Sequence, residues 1–372
     1  MVITFPHLGN VYICVKAMLD DLGVDYVIPP FNNNKALELG TKHVPEMACL
    51  PLRINIGNYI QAYEKGADTI LMAGGCGPCR FGYYCEMHRE IMKDAGYKMD
   101  IITLELSNGG YGGFLQKIRK LSGSAGLIKL IAIVRKTALL AKRVDELEAA
   151  SFRTRARELV KGSTDTIYRG FRRKALDVEG LKAMTQLVDD TFEKLEGVEV
   201  DKNFYPLKVG IVGEIYTNIE HFASFELQEK LGGMGVEVDR RVTLSNWIGE
   251  HIIKKALHLP RDMSYEKAAR PYLGAMIGGH AQETIGHTVL YATSGFDGVI
   301  QIFPLSCMPE IVAESLLPSV ERDFGIPVLT LIMDEMTGEA GYMTRVEAFI
   351  DLLNRRREQS AVENNRRVFS RN

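Results

Sequence analysis

The chain reads as an α/β protein with two doubly wound parallel-sheet lobes and a helical insert between them. Three observations carry that reading. Residues 1–112 alternate apolar, strand-like runs with helical stretches of roughly 10 to 15 residues, the pattern of parallel βαβ units. Residues 113–205 lose the strands and become charged helix, and residues 206–352 return to the alternation. A polar tail, 353–372, closes the chain. With 372 residues, two or three domains are expected, and 46% apolar against 25% charged residues is ordinary for a globular protein.

In the N-terminal lobe, "MVITFPH" is a strand that reads as buried rather than as a secretory leader, and Asn10 to Leu22 carries helical spacing that ends at Gly23. "DYVIPP" is a short strand stopped by two prolines, "IGNYIQAYEKG" a helix ending at Gly66, and "ADTILMAGG" the next strand. "GYYCEMHREIMKDAG" is a helix ending at Gly96, and "KMDIITLEL" a strand. The C-terminal lobe opens with the strand in "PLKVGIVGEIYT", followed by a helix from about Ile219 to Leu231. "VEVDRRVTL" is a strand, "ETIGHTVLYATSG" a helix, "FDGVIQIFPLSC" and "IPVLTLIMDE" strands, and "TRVEAFIDLLNRR" the last helix. From Arg355 the sequence is polar and basic, and a frayed or disordered end is expected.

Charge excludes some functions. The net charge of −2 gives no general attraction to nucleic acid or membrane. Within the insert, Lys117 to Lys174 hold 16 Lys or Arg against five Asp or Glu, a local +11 that leaves −13 for the remainder. That excess reads first as a solvated face, and second as a surface for an anionic ligand or acidic partner. Aromatic residues are too sparse there for a single-strand nucleic-acid groove. The longest apolar run, "AGLIKLIAIV", is interrupted by Lys129 and falls short of the roughly 20 residues of a membrane span. No membrane partner and a cytoplasmic location are therefore expected.

Six cysteines, at 14, 49, 76, 79, 85 and 307, point to reduced thiols that bind metal or do redox chemistry rather than to a disulfide framework. Cys76-Gly77-Pro78-Cys79 matches the thioredoxin dithiol, which a helix N-terminus would activate. Two glycines precede it, however, and the single Trp is distant, at position 247. Structural zinc usually draws on two close ligand pairs, and only one is present. Iron–sulfur clusters accept scattered thiolates when the site is built between domains. Cys49, Cys76, Cys79 and Cys307 all fall on loops at strand ends or helix starts, where ligands of parallel sheets sit, and two such halves would face one another across a cleft. Cys14 and Cys85 lie inside the expected helices and read as core thiols.

The order of these loops resembles the 2-hydroxyacyl-CoA dehydratase and benzoyl-CoA reductase superfamily. The matching stretches are "PEMACLPLR", "LMAGGCGPCRFGYY", "GGHAQETIGHTVLYATSGFDGVIQIFPLSCMPE" and "IPVLTLIMDEMTGEAGYMTRVEAFID", spread over most of 1–112 and 206–352. Within it the chain is most similar to the acyl-CoA dehydratase activase-related (CoA-protein activase) branch, with double-cubane cluster proteins as relatives. The resemblance implies a low-potential iron–sulfur protein with its cluster in the interlobe cleft. It implies that a separate ATP-hydrolysing activase, with its own cluster, supplies single electrons for acyl-CoA dehydration or reduction. Cys49, Cys76 and Cys307 occupy the places of the family's three ligands per cubane. Cys79 departs from that pattern: four thiolates would close a [4Fe-4S] cluster, and all six would suit a double-cubane [8Fe-9S] cluster. The alternative function is a non-catalytic electron carrier or assembly partner, and a further one is thiol–disulfide exchange. The chain is expected to pair with a copy of itself or with a paralogue.

Other residues carry weaker signals. His280 and Glu283, after Gly278-Gly279, are candidates for proton transfer, while Glu283 equally supports a helix start. Glu46 and Arg80 flank the cysteine loops, Gly213 and Glu214 follow a strand at a ligand-facing position, and Arg345 is a candidate contact for a CoA phosphate. No phosphate-cradling loop is present, so any ATP is expected to be hydrolysed by a partner.

Overall fold

The computed structural model describes residues 1–74, 83–104, 117, 119, 121, 126–249 and 262–369. Two parallel sheets organise them. In the first, β1 (Ile3–Thr4), β2 (Thr69–Ala73) and β3 (Asp100–Leu104) lie in sequence order, with Ile3 opposite Thr69 and Thr69 opposite Asp100. The expected strand at "DYVIPP" is reduced to one parallel bridge between Tyr26 and Ile3, because the two prolines that follow have no N–H to continue a ladder. Around the sheet run α1 (Val11–Leu22), α2 (Asn34–His43), α3 (Leu50–Tyr63) and α4 (Tyr84–Asp94). Helix α1 ends where expected, at a left-handed Gly23.

The insert folds as α5 (Leu127–Arg157), α6 (Ser163–Lys174) and α7 (Gly180–Glu196). It shares one apolar core with α1 and β1, where Ile13, Leu19, Leu140, Leu147 and Val188 are all buried. Its positive charge is partly neutralised rather than simply solvated. Arg155, 1% exposed, pairs with Asp165 at 2.6 Å, Arg169 with Glu229 at 2.9 Å, and Arg157 with Glu237.

The second sheet comprises β4 (Leu207–Gly213), β5 (Val236–Arg240), β6 (Gly298–Pro304) and β7 (Val328–Met333), in the order β5-β4-β6-β7. The chain leaves β4 in one direction to form β5, then crosses back to place β6 on the other side. The reversal between β4 and β6 is the topological switch point at which α/β sheets open a crevice. The strands are buried, as parallel ladders require, and Val209, Ile211, Ile300 and Ile302 form their core.

The helices of this region are α8 (Ile215–Ile219), α9 (Leu227–Gly233), α10 (Leu244–Ile248), α11 (Ser264–Ala269), α12 (Ala281–Thr293), α13 (Met308–Phe324) and α14 (Glu339–Phe369). The single helix expected from Ile219 to Leu231 is two short ones. Between them Phe225 and Glu226 take positive φ, and the Glu226 N–H closes a turn on the His221 carbonyl at 2.8 Å. The tail expected to fray continues α14 to Phe369, since no Gly or Pro follows Gly341 and Arg, Glu, Gln and Ala favour helix. Leu353, 1% exposed, belongs to the sheet core, and Arg357 donates to the carbonyls of Tyr205 and Pro206 and to Asp297. Among the described residues no helix is long and apolar enough to cross a membrane.

Candidate functional site

Helix α3 positions the first thiol. Thirteen of its residues, Leu50 through Ala62, are buried, with Leu52, Ile56 and Ile60 facing β2 and α4 while Leu50 and Ile54 join the core of the second sheet. Against α2 it packs backbone to backbone: a Cβ on Gly57 would lie 1.7 Å from the Ala36 carbonyl oxygen, and one on Gly40 1.7 Å from that of Arg53. Cys49 is the N-cap of this helix, with φ −71° and ψ 157°. Its loop is pinned by Arg53, which donates to the Ala48 carbonyl at 3.4 Å and to the Glu46 carbonyl, and pairs with Glu335 beyond β7 at 3.1 Å. Glu46 thus contributes its backbone, while its side chain is exposed. The Cys49 sulfur meets the hydroxyl of Tyr84.

Cys307 repeats the arrangement on the second sheet. It caps α13, three residues after β6 ends, and its N–H returns to the Pro304 carbonyl at 3.0 Å. Leu305 N–H binds the Met333 carbonyl at 2.7 Å, which fixes this loop to the end of β7. Both cysteines therefore present sulfur at a helix N-terminus, where the backbone dipoles favour negative charge. In both helices a proline, Pro51 or Pro309, stands two residues after the cysteine in the first turn, where its missing N–H costs nothing. Burial pushes the Cys307 thiol well up, and the charges of Glu214, Glu310 and Cys49 push it further. Cys49 and Cys307, from loops at different sheets, thus lie within each other's electrostatic reach.

Two carboxyl groups, Glu214 and Glu310, act on Cys307 through their charge, and His280 lies within reach of the first. Glu214, at the end of β4, caps α8 by accepting from the N–H groups of Tyr216 and Thr217 at 2.9 and 3.0 Å, and burial raises its pKa. Its charge reaches His280, which burial lowers. His280 precedes α12 after two positive-φ glycines, and a Cβ on Gly279 would stand 2.6 Å from the Pro309 ring, so this turn rests on the start of α13. Glu310, fully buried, accepts from Gln301 Nε2 at 3.0 Å and from Thr284 Oγ1 at 3.0 and 3.1 Å. Burial raises its pKa to about 7, against those hydrogen bonds, with Glu214 and Glu283 adding to the rise. The group combines thiols, a carboxyl that is half protonated near neutrality and an imidazole held neutral, at the switch point of the second sheet.

Of the expected site residues, Cys49 lies within electrostatic reach of Cys307, while His280 is coupled to Glu214 and Glu283 to Glu310, the two carboxyl groups that act on Cys307. Cys76, Cys79 and Arg80 lie outside the described residues. Among the described residues, no group of three or more His, Cys, Asp or Glu is arranged to hold a metal ion. Cys14 is buried on α1 in the first core, and Cys85 is half-buried on α4, packed against the same apolar cluster as Cys49. Arg345 donates to the Thr330 carbonyl at 2.6 Å, a packing role. Sequence reasoning missed Glu310 and Tyr84. A signal for the first was present: Cys49-Leu50-Pro51, Cys76-Gly77-Pro78 and Cys307-Met308-Pro309 share one Cys-x-Pro pattern, and Glu310 completes the third.

No protein-family model matches this chain, and no match is found among curated proteins.

Proposed function

We propose that this chain is an iron–sulfur protein of the 2-hydroxyacyl-CoA dehydratase type, accepting low-potential electrons from an ATP-hydrolysing activase for acyl-CoA dehydration or reduction. The observation that carries the reading is that Cys49 and Cys307, each the N-cap of a helix and each from a different sheet's loops, lie within electrostatic reach of one another. Their surroundings fit a metal cluster. Each sulfur stands at a helix N-terminus, which would offset the charge of a thiolate, and iron binding would have to displace the proton that burial keeps on Cys307. Tyr84 touches the Cys49 sulfur and stands two residues after the stretch 75–82 that holds Cys76 and Cys79. In this reading the two α/β units are lobes, and Cys49, Cys76, Cys79 and Cys307 hold a cluster in the cleft between them. When bound, a cluster supplies or accepts one electron at a time.

Around it, the chain's own residues handle protons. Glu310 holds a proton near neutral pH between Thr284 and Gln301, and neutral His280 beside Glu214 accepts or donates one at a ring nitrogen. Glu283 adds negative charge at the start of α12. A second reading, an electron carrier without substrate chemistry, draws support from Cys79, a fourth thiol that would close a cubane.

Iron and acid-labile sulfide per chain, measured on anaerobically purified protein with EPR after reduction, test the proposal. About four irons support one cubane, and about eight support a double cubane using all six cysteines. No iron, with a reversible Cys76–Cys79 disulfide instead, overturns it. Binding of an acyl-CoA thioester to the iron-loaded protein separates the enzyme from the carrier.

A further inference from the structure

We propose that Tyr84 is a positioning residue that donates a hydrogen bond to the Cys49 thiolate and raises the reduction potential of the bound cluster. The inference rests on the iron–sulfur reading and adds to it a residue whose effect can be measured without turnover.

Tyr84 is the first residue of α4, and its ring is 2% exposed while neighbouring Tyr83 points to solvent at 64%. The ring cannot swing freely. His88, one turn later, lies 6.0 Å away centroid to centroid, and His88 stands edge-on to Tyr59 of α3 at 5.1 Å. His88 Nδ1 is also 3.4 Å from the Met72 sulfur on β2. Tyr84 is therefore held by packing between α3, α4 and β2, and α3 is the helix that Cys49 caps. Its hydroxyl meets Cys49 Sγ.

In the free thiol either atom can donate. Once the sulfur is a metal-bound thiolate it has no proton, so the phenol alone is the donor. A hydrogen bond to a cluster sulfur stabilises the more negative, reduced state and shifts the potential upward. At Cys307 the neighbouring groups act the other way in so far as they ionise: Glu214 and Glu310, both raised by burial, place negative charge near the sulfur once they lose their protons. The two thiolates thus sit in opposite environments, and Tyr84 sets the positive side of the balance.

The test is a potentiometric titration, followed by EPR, of the anaerobically purified full chain. Tyr84→Phe keeps the ring and removes the donor, and it is expected to move the midpoint potential to a more negative value with iron content unchanged. Replacing Tyr84 with 3-fluorotyrosine strengthens the donor and is expected to move it the opposite way. Tyr59→Phe is the control: its hydroxyl is buried without a hydrogen-bond partner among the described residues, so it leaves the potential where it was. Should Tyr84→Phe lose its iron, the fluorotyrosine protein decides the matter by the sign of its shift. A cluster whose potential is the same in wild type and in the Tyr84 proteins overturns this inference alone. Wild-type protein without iron overturns it together with the reading beneath it.

Discussion

Arg53 and Glu335 tie the loop that carries Cys49 to the loop that follows β7, with Nη1 and Oε1 3.1 Å apart. The arginine is 4% exposed, and it also satisfies the carbonyls of Glu46 and Ala48. One side chain thus fixes the height of a candidate ligand relative to the second sheet.

Replacing Arg53 with Met is expected to leave two carbonyls and a carboxylate without their donor, at a cost of about 2–4 kcal/mol. Lys in its place is expected to recover little, since an ammonium cannot reproduce the fork. Urea denaturation of the three proteins checks both statements.

Gly57 and Gly170 predict opposite outcomes for the same change. A methyl at Gly57 meets the Ala36 carbonyl, and neither helix can yield without the other, so Gly57→Ala is expected to destabilise by at least about 3 kcal/mol. Gly170, inside α6 with nothing within 4 Å of its missing Cβ, gains helix propensity. There Ala is expected to stabilise by about 0.5–1 kcal/mol. Thermal melts of the two variants decide.

Acid is expected to unfold this protein through its histidines. Burial lowers His7 and His88 from 6.5 to about 3, and Arg172 adds to the effect at His7. A histidine whose folded pKa lies below its unfolded value binds fewer protons when folded. Its contribution is therefore whole above pH 6.5 and is lost as pH falls from there toward 3. At pH 4.5 each costs roughly 2–3 kcal/mol. Stability measured from pH 7.5 to 4.5 is expected to fall steeply, and His88→Phe is expected to make the acid limb shallower by one group's share.

Truncation locates the end of the folded chain. A stop after Gln359 retains Leu353 and Arg357 and is expected to leave the melting temperature near that of the whole protein. A stop after Asp351 removes a buried leucine and the Arg357 contacts to Tyr205, Pro206 and Asp297, and is expected to cost at least about 3 kcal/mol.

Much of the fold was legible because strands with β-branched runs and helices ending at Gly23, Gly66 or Gly96 announce themselves locally. What was not legible depends on distant partners. Helix α2 is short and polar, and it owes its place to glycine contacts with α3 rather than to a periodic apolar face. The break between α8 and α9 has no glycine or proline to mark it. Glu220 is instead drawn away to accept from the Gly9 N–H at 2.6 Å, 211 positions earlier in the chain. At the candidate site, loop position singled out Cys307 after a strand end and Cys49 before a helix start, and both cysteines are helix N-caps. Glu310 escaped notice because its partners, Gln301 and Thr284, converge only when β6, α12 and α13 pack. Tyr84 escaped because a tyrosine at a helix start signals nothing until α3 brings a sulfur to it.

Helix α5 has 31 residues, about 46 Å at 1.5 Å per residue, and it touches α1, α6 and α7 as one set of neighbours and β5, α9 and α10, from the second α/β region, as another. Its length is therefore quantised. Deleting one residue within it would turn everything downstream by about 100° and drag every contact on the far side out of register. Deleting seven, close to two whole turns, would restore the facing residues but shorten the span by about 10 Å. Descendants of this sequence are free to lengthen or shorten the loops around α5, but change in the helix itself has to come in whole turns, with both sets of neighbours moving together.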